Sequence, residues 1–249
     1  MCEERATISN GILGILDLEP GSDPNGSLVS GSLQDSSIFT FPAIRETVSG
    51  AWADVVVRGD PSLEGPYIAA AKCLVGRGAT AITADCGFSI RHQAAIAAAV
   101  PVPVAVSALL LTSMIVRQLS GGAKLAVLTF DSTHFGTELL GLSDPCDISR
   151  VVVSGIENTP TWQNEMKRPP VRTELSVLRE DVCSRVEQLR EKHPEIKALL
   201  LECTMFPRIA RSLRRSTGLP VYDVTTLGRM LMESVAPRSY ARLGSKPWS

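Results

Sequence analysis

Residues 81–90 read AITADCGFSI, and residues 198–207 read ALLLECTMFP. Each stretch is an apolar run, then an acid, then a cysteine, then small or apolar residues that lead into a helical pattern. Sliding residues 81–104 forward by 117 aligns them without a gap on 198–221. Ala81, Cys86, Arg91, Pro103 and Val104 fall on Ala198, Cys203, Arg208, Pro220 and Val221, and Asp85 falls on Glu202. The order strand, Cys, helix, Pro-Val, strand is kept throughout. A unit built twice predicts two related halves, each presenting one cysteine where a strand hands over to a helix.

The rest of the chain extends that pattern. Short Val- and Leu-rich runs at 11–16, 53–57, 80–84, 102–106, 124–130, 150–155, 197–202 and 220–224 predict strands. Helical patterns lie between or after them, around 62–77, 89–99, 108–119, 134–141, 172–192, 205–216 and 226–235. In the clearest, Leu175, Leu178, Val182, Val186 and Leu189 recur at helical spacing, and His193-Pro194 ends the run. Strand–helix alternation of this kind predicts an α/β fold of two pseudo-symmetric halves. Each half is expected to be a mainly parallel sheet flanked by helices, and if the halves pack face to face their two cysteines approach one active-site cleft between them. The expected division is 1–106 plus 222–249 for the half carrying Cys86, and 107–221 for the half carrying Cys203. The Gly-, Ser- and Asp-rich segment 17–42 follows the first strand, where loops line the ligand crevice of open sheets. Its Ser22, Asp23 and Asn25 are candidate substrate contacts.

Composition narrows the function classes. The 249 residues are 44% hydrophobic with a formal net charge of −1, so no nucleic-acid or anionic-membrane surface is expected. The uncharged stretch from Gln93 to Val116 is long enough to suggest a membrane span, but Pro101 and Pro103 break it, and it reads as helix, strand, helix. No C-x-x-C pair occurs among six cysteines, and with three histidines a zinc site is not expected. The start "MCEERATIS" lacks the pattern of a signal peptide, so a reduced cytoplasmic location with free thiols is expected. Cys73, Cys146 and Cys183 read as small apolar core residues.

A cysteine at a helix start faces unpaired N–H groups and the positive end of the helix dipole, which favour a thiolate. Two such thiols on opposite sides of one cleft form a two-base site: one removes a proton from a carbon acid and the other returns it, with no cofactor or metal. Asp85 and Glu202 would oppose thiolates if they faced them, but neighbours on a strand point to opposite faces and could bond the adjoining loop instead.

The motifs ADCGFS and LECTMFP, with the opening GILGIL and the closing TGLPVYDV, resemble the aspartate/glutamate/hydantoin racemase superfamily, from about residue 11 to 235. The resemblance implies two flavodoxin-like halves, with Cys86 and Cys203 as the acid/base pair. The family includes amino-acid and hydantoin racemases, a maleate cis–trans isomerase and arylmalonate decarboxylases. Its amino-acid racemases follow the first cysteine with Asn-Thr, where this chain has Gly87 and Phe88, with Ser89 the remaining polar residue. The decarboxylases keep only the second cysteine, so retaining Cys86 points away from their chemistry.

The expected activity is a cofactor-independent racemase or epimerase acting on a small α-substituted carboxylate or a hydantoin-like cyclic amide. Gly87, Phe88, Ser89 and Thr204 would hold the substrate, in a homo-oligomer of two or more copies. A maleate-type cis–trans isomerase with a cysteine nucleophile and a non-catalytic two-lobed anion-binding protein are the alternatives.

Overall fold

Two parallel sheets organise the chain. In the computed structural model, which describes residues 11–19, 33 and 38–235, the first sheet holds β1 (Leu13–Asp17), β2 (Ala43–Thr47) and β3 (Ala81–Ala84) in the order β2-β1-β3. The second holds β4 (Lys124–Thr129), β5 (Val151–Gly155), β6 (Ile196–Leu201) and β7 (Val221–Tyr222) in the order β5-β4-β6-β7. Every strand pair is parallel. The central strands are apolar runs with no polar alternation because helices cover both faces; β3 is buried at all four positions.

The helices of the first part are α1 (Ala53–Arg58), α2 (Glu64–Gly76), α3 (Gln93–Ala99) and α4 (Thr112–Gln118). Those that follow are α5 (Pro145–Ser149), α6 (Pro160–Glu165), α7 (Leu175–Lys192), α8 (Pro207–Thr217) and α9 (Val224–Val235). The stripe read from the sequence is the buried face of α7 except at its first residue: Leu178, Val182, Val186 and Leu189 are buried, whereas Leu175, in the first turn, is exposed. The closing helix α9 returns to the first sheet, where Gly228 lies against Phe39 and Leu13. The uncharged stretch at 93–116 resolves into α3, an irregular segment and α4; among the described residues no helix is long and apolar enough to cross a membrane.

The internal repeat holds at the level of individual hydrogen bonds. Ile82 N–H donates to the Pro103 carbonyl at 2.9 Å, and 117 residues later Leu199 N–H donates to that of Pro220 at 2.9 Å. The pairing Ile82–Val104 recurs as Leu199–Val221. Asp85 N–H donates to Leu16 O and Glu202 N–H to Leu128 O, both at 2.8 Å. Each strand is thus held by its neighbours in the same way just before its cysteine.

Four expectations fail locally. Residues 53–57 form α1, not a strand. Only Val56 and Val57 are buried there, Asp54 pairs with Arg58 across one turn, and Gly59 ends the helix at φ 75°. The β-branched run is overridden by tertiary context, as strand propensity often is. Residues 102–106 give a single bridge through Val104 instead of a full strand. Where a helix was expected over 134–141, two short 3-10 turns stand at Ser132–His134 and Thr137–Leu140. Cys73 and Cys146 are exposed instead of in the core: α2 buries Tyr67, Ala70, Ala71 and Leu74 on its other face, and α5 buries nothing.

Candidate active site

The two cysteine corners are built alike and interlock. After β3, Cys86 is extended (φ −157°, ψ 127°) and a 3-10 turn from Gly87 to His92 feeds α3. After β6, Cys203 begins a turn that ends at Phe206, and Pro207 opens α8, a position where a missing N–H costs nothing. The turn after each cysteine closes on it: Ser89 N–H donates to Cys86 O and Phe206 N–H to Cys203 O, both at 3.1 Å. The corners join where Thr204 Oγ1 donates to Asp85 O at 3.1 Å.

Both cysteines line one cleft. Its walls include Leu18, Ala53, Val57, Phe88, Phe130 and Met205, and among the described residues its charged lining is Asp85, Glu165 and Glu202, all acids. Asp85 receives Arg45 Nη2 at 3.3 Å, and Arg45 also makes a two-pronged pair with Asp17. Glu202 is fully buried, and its Oε2 accepts from Thr129 Oγ1 (3.0 Å) and from Phe130 N–H (3.1 Å). Among the described residues its Oε1 has no hydrogen-bond partner, and it lies against Gly87, where any Cβ would overlap both that oxygen and the Glu202 carbonyl. Glu165, at the end of α6, keeps partial exposure as a residue while its carboxyl sits deep among other atoms.

These surroundings reverse the expected effect on the thiols. Burial pushes Cys86 well above the ordinary thiol value, Glu202 adds to it, and the Phe88 amide opposes it only in part. Cys203 is likewise raised, by burial first and by Glu202 second, with the Met205 amide opposing. Each corner offers its amide to the sulfur, as a helix start should, but desolvation outweighs it. Burial also lifts Glu202 and Glu165 to about 7.

Of the residues singled out from the sequence, Cys86, Gly87, Phe88, Cys203 and Thr204 meet at this cleft. Ser89 does not: it is fully buried, its hydroxyl 2.8 Å from that of Tyr67, because the 3-10 turn swings the third residue after Cys86 toward α2. Ser22, Asp23 and Asn25 lie outside the described residues. Glu165, Phe130 and Met205 were not singled out. Met205 stands two residues past Cys203 and was within reach of the corner argument, whereas nothing near Glu165 sets it apart from a surface acid.

No protein-family model matches the chain. Among curated proteins it is 29% identical over 196 residues to dimethylsulfoniopropionate lyase 5 of Emiliania huxleyi, covering 72% of this chain and 39% of that protein. It is 25% identical over 252 residues to a dimethylsulfoniopropionate lyase of Durusdinium sp. clade D, covering 92% and 83%. The chain thus spans well under half of the first relative and most of the second.

Among solved structures, allantoin racemase from Pseudomonas fluorescens has a TM-score of 0.55 at 15% identity, covering 96% of this chain and 98% of that one. A glycine-to-cysteine mutant of arylmalonate decarboxylase has 0.55 at 16% identity, covering 90% and 93%. Glutamate racemase from Aquifex pyrophilus has 0.53 at 16% identity, covering 90% and 82%. These likenesses establish the fold, a pair of parallel sheets flanked by helices that the chain shares with these two racemases and this decarboxylase. The proteins matched by sequence or fold are enzymes: lyases in the first comparison, racemases and a decarboxylase in the second.

Proposed function

We propose that the chain is a cofactor-independent lyase. In this reading it removes a proton from the carbon next to a carboxylate and expels a cationic group from the following carbon, with dimethylsulfonio carboxylates as the substrate class. The observation that carries this is the charge of the cleft. Its charged lining is acidic, and both thiols are pushed up by burial and by Glu202. A purely anionic substrate would make a thiolate there costlier still. A substrate carrying an onium group brings its own positive charge, which offsets the carboxylates and stabilises the thiolate. The two lyase relatives support the same reading by name.

The chemistry then runs as follows. The thiolate of Cys86 or Cys203 takes the α proton and becomes a thiol. The C–H electron pair forms the C=C bond as the C–S bond breaks, dimethyl sulfide leaves with its electron pair, and an acrylate-type carboxylate remains. Backbone N–H groups of the Gly87 and Thr204 turns would hold the carboxylate and the enolate-like charge that builds on it. Asp85 and Glu165, beside the apolar walls, would face the sulfonium.

The match between the corners favours a second reading, the racemase expected from the sequence. Two bases held in equivalent settings on one cleft are what removal and return of a proton on opposite faces require. One experiment separates the two. The protein is incubated with dimethylsulfoniopropionate, and with a panel of small chiral carboxylates and hydantoins, in deuterated water. Dimethyl sulfide in the headspace supports the lyase. Deuterium at a stereocentre without release supports the racemase. No release and no exchange across the panel contradicts both.

A further inference from the structure

Glu202 is the buried group of this site that neither reaction uses. Two donors, Thr129 Oγ1 and the Phe130 amide, both point at Oε2. When the carboxyl is neutral its proton therefore belongs on Oε1, the unpartnered oxygen at Gly87, on the side of the cysteine corner. After burial itself, Glu202 is the largest influence opposing ionisation of both Cys86 and Cys203. A second negative charge in this volume is strongly disfavoured, since like charges sharing a desolvated site cannot both form cheaply.

We propose that Glu202, Cys86 and Cys203 hold a single negative charge among them, so that Glu202 decides when either thiol can ionise. It is a positioning residue, acting through the thiols. The charge moves from Glu202 to sulfur when one cysteine gives up its S–H proton and the Glu202 carboxylate takes one up at Oε1. The thiol becomes a thiolate, the carboxylate becomes a carboxylic acid, and the total charge is unchanged. The other charged groups facing the trio are Asp85, paired with Arg45, Glu165 from α6, and Arg91, which favours the carboxylate of Glu202 and whose guanidinium lies 5.9 Å from the Phe88 ring centroid.

Sharing one charge has a signature that packing alone would not produce. Below the titration of Glu202 the thiolate fraction rises about tenfold per pH unit. Above it the charge already resides on Glu202, and the thiolate fraction stops rising with pH. Replacing Glu202 by Gln keeps the hydrogen bonds at Oε2 but removes the competing charge, and the rise continues.

The inference rests on Cys86 and Cys203 as the working pair, but its readout is alkylation. A failure to find lyase or racemase activity leaves it standing, and its own failure leaves those activities open. The test is the rate of iodoacetamide labelling of each cysteine between pH 6 and 9, read by peptide mapping, in the wild type and Glu202→Gln. Exposed Cys73 and Cys146 serve as internal references. The expected result is that Cys86 and Cys203 level off above about pH 7 in the wild type and keep climbing in the variant, with a gap on the order of a hundredfold by pH 9. Parallel profiles in the two proteins overturn the proposal. Should Glu202→Gln fail to fold, the wild-type profile decides: levelling at Cys86 and Cys203 but not at the references supports it, and a continued tenfold rise per unit overturns it.

Discussion

The Cys86 corner and the Cys203 corner share a backbone and differ in how they treat the acid that precedes the cysteine. Asp85 is short and stays near the rim, where β2 delivers Arg45 to it. Glu202 is one carbon longer, reaches across to the backbone that leaves β4, and among the described residues has no ion pair; its Oε2 is held there by two neutral donors. The edge strand β5 sits in the second sheet where β2 sits in the first, but its Val151–Gly155 run carries no cation. A repeated frame thus supplies two equivalent sulfurs, and the side chains around it make the charge of the two corners unequal. One acid is offset by an arginine, and the other controls the thiols.

The largest expected effect breaks the equivalence of the sulfurs. Cys86→Ser and Cys203→Ser keep the volume but remove an ionisable thiol, and loss of a positioned base costs about 10²–10⁴-fold in turnover. Elimination needs one base, so under the lyase reading one variant shows that loss and the other a smaller one. Under the racemase reading both lose racemisation. Steady-state rates of the two variants on the substrate found by the screen make the distinction.

Next in size is the pH dependence of stability contributed by Glu202. The folded protein keeps this proton up to about pH 7, whereas the unfolded chain releases it near the ordinary value of 4.5. Between those values the folded state binds more protons, so stability falls as pH rises from 4.5 to 7 and is flat, for this group, on either side. The loss amounts to at most about 3 kcal/mol. Urea midpoints at pH 5 and 7.5 measure it. Glu202→Gln is expected to reduce the difference, and an unchanged difference would assign it to other groups such as Glu165.

Much of the fold was legible because it rests on simple signals. Fully buried parallel strands leave apolar runs, α7 leaves a periodic stripe, and two copies of one corner leave a repeat. What was not legible depends on tertiary context. Strand β2 is a half-exposed edge whose AIRET carries two charges, so it has neither a run nor a clean alternation. The Val55–Val57 run has the composition of a strand and becomes a helix through its place in the whole. At the site, the cysteines and their neighbours were readable from the corner motif. The direction of Ser89 was not, because a 3-10 turn advances side chains differently from an α-helix. Glu165 comes from a distant six-residue helix that carries no signal of its own.

Two smaller effects sharpen the comparison at the joint between the corners. Gly87→Ala places a Cβ against both the Glu202 carboxyl and its main-chain carbonyl. Because the backbone atom cannot swing away, the expected cost is about 1–3 kcal/mol of stability. Thr204→Val, on the opposite corner, removes the hydroxyl that donates to Asp85 O, for about 0.5–1.5 kcal/mol. Denaturant unfolding of both variants checks the order, and a Gly87→Ala variant as stable as wild type would mean that Glu202 is not packed where the structure has it.

The most direct test of the central claim, that thiols from two separate sheets serve one cleft, is a cross-link. Dibromobimane bridges two thiols only when both lie within its short span. Treatment at mildly alkaline pH followed by peptide mapping is predicted to yield a bridged Cys86–Cys203 peptide, while Cys73 and Cys146 are modified singly. Single modification of Cys86 and Cys203 with no bridged peptide would contradict the account.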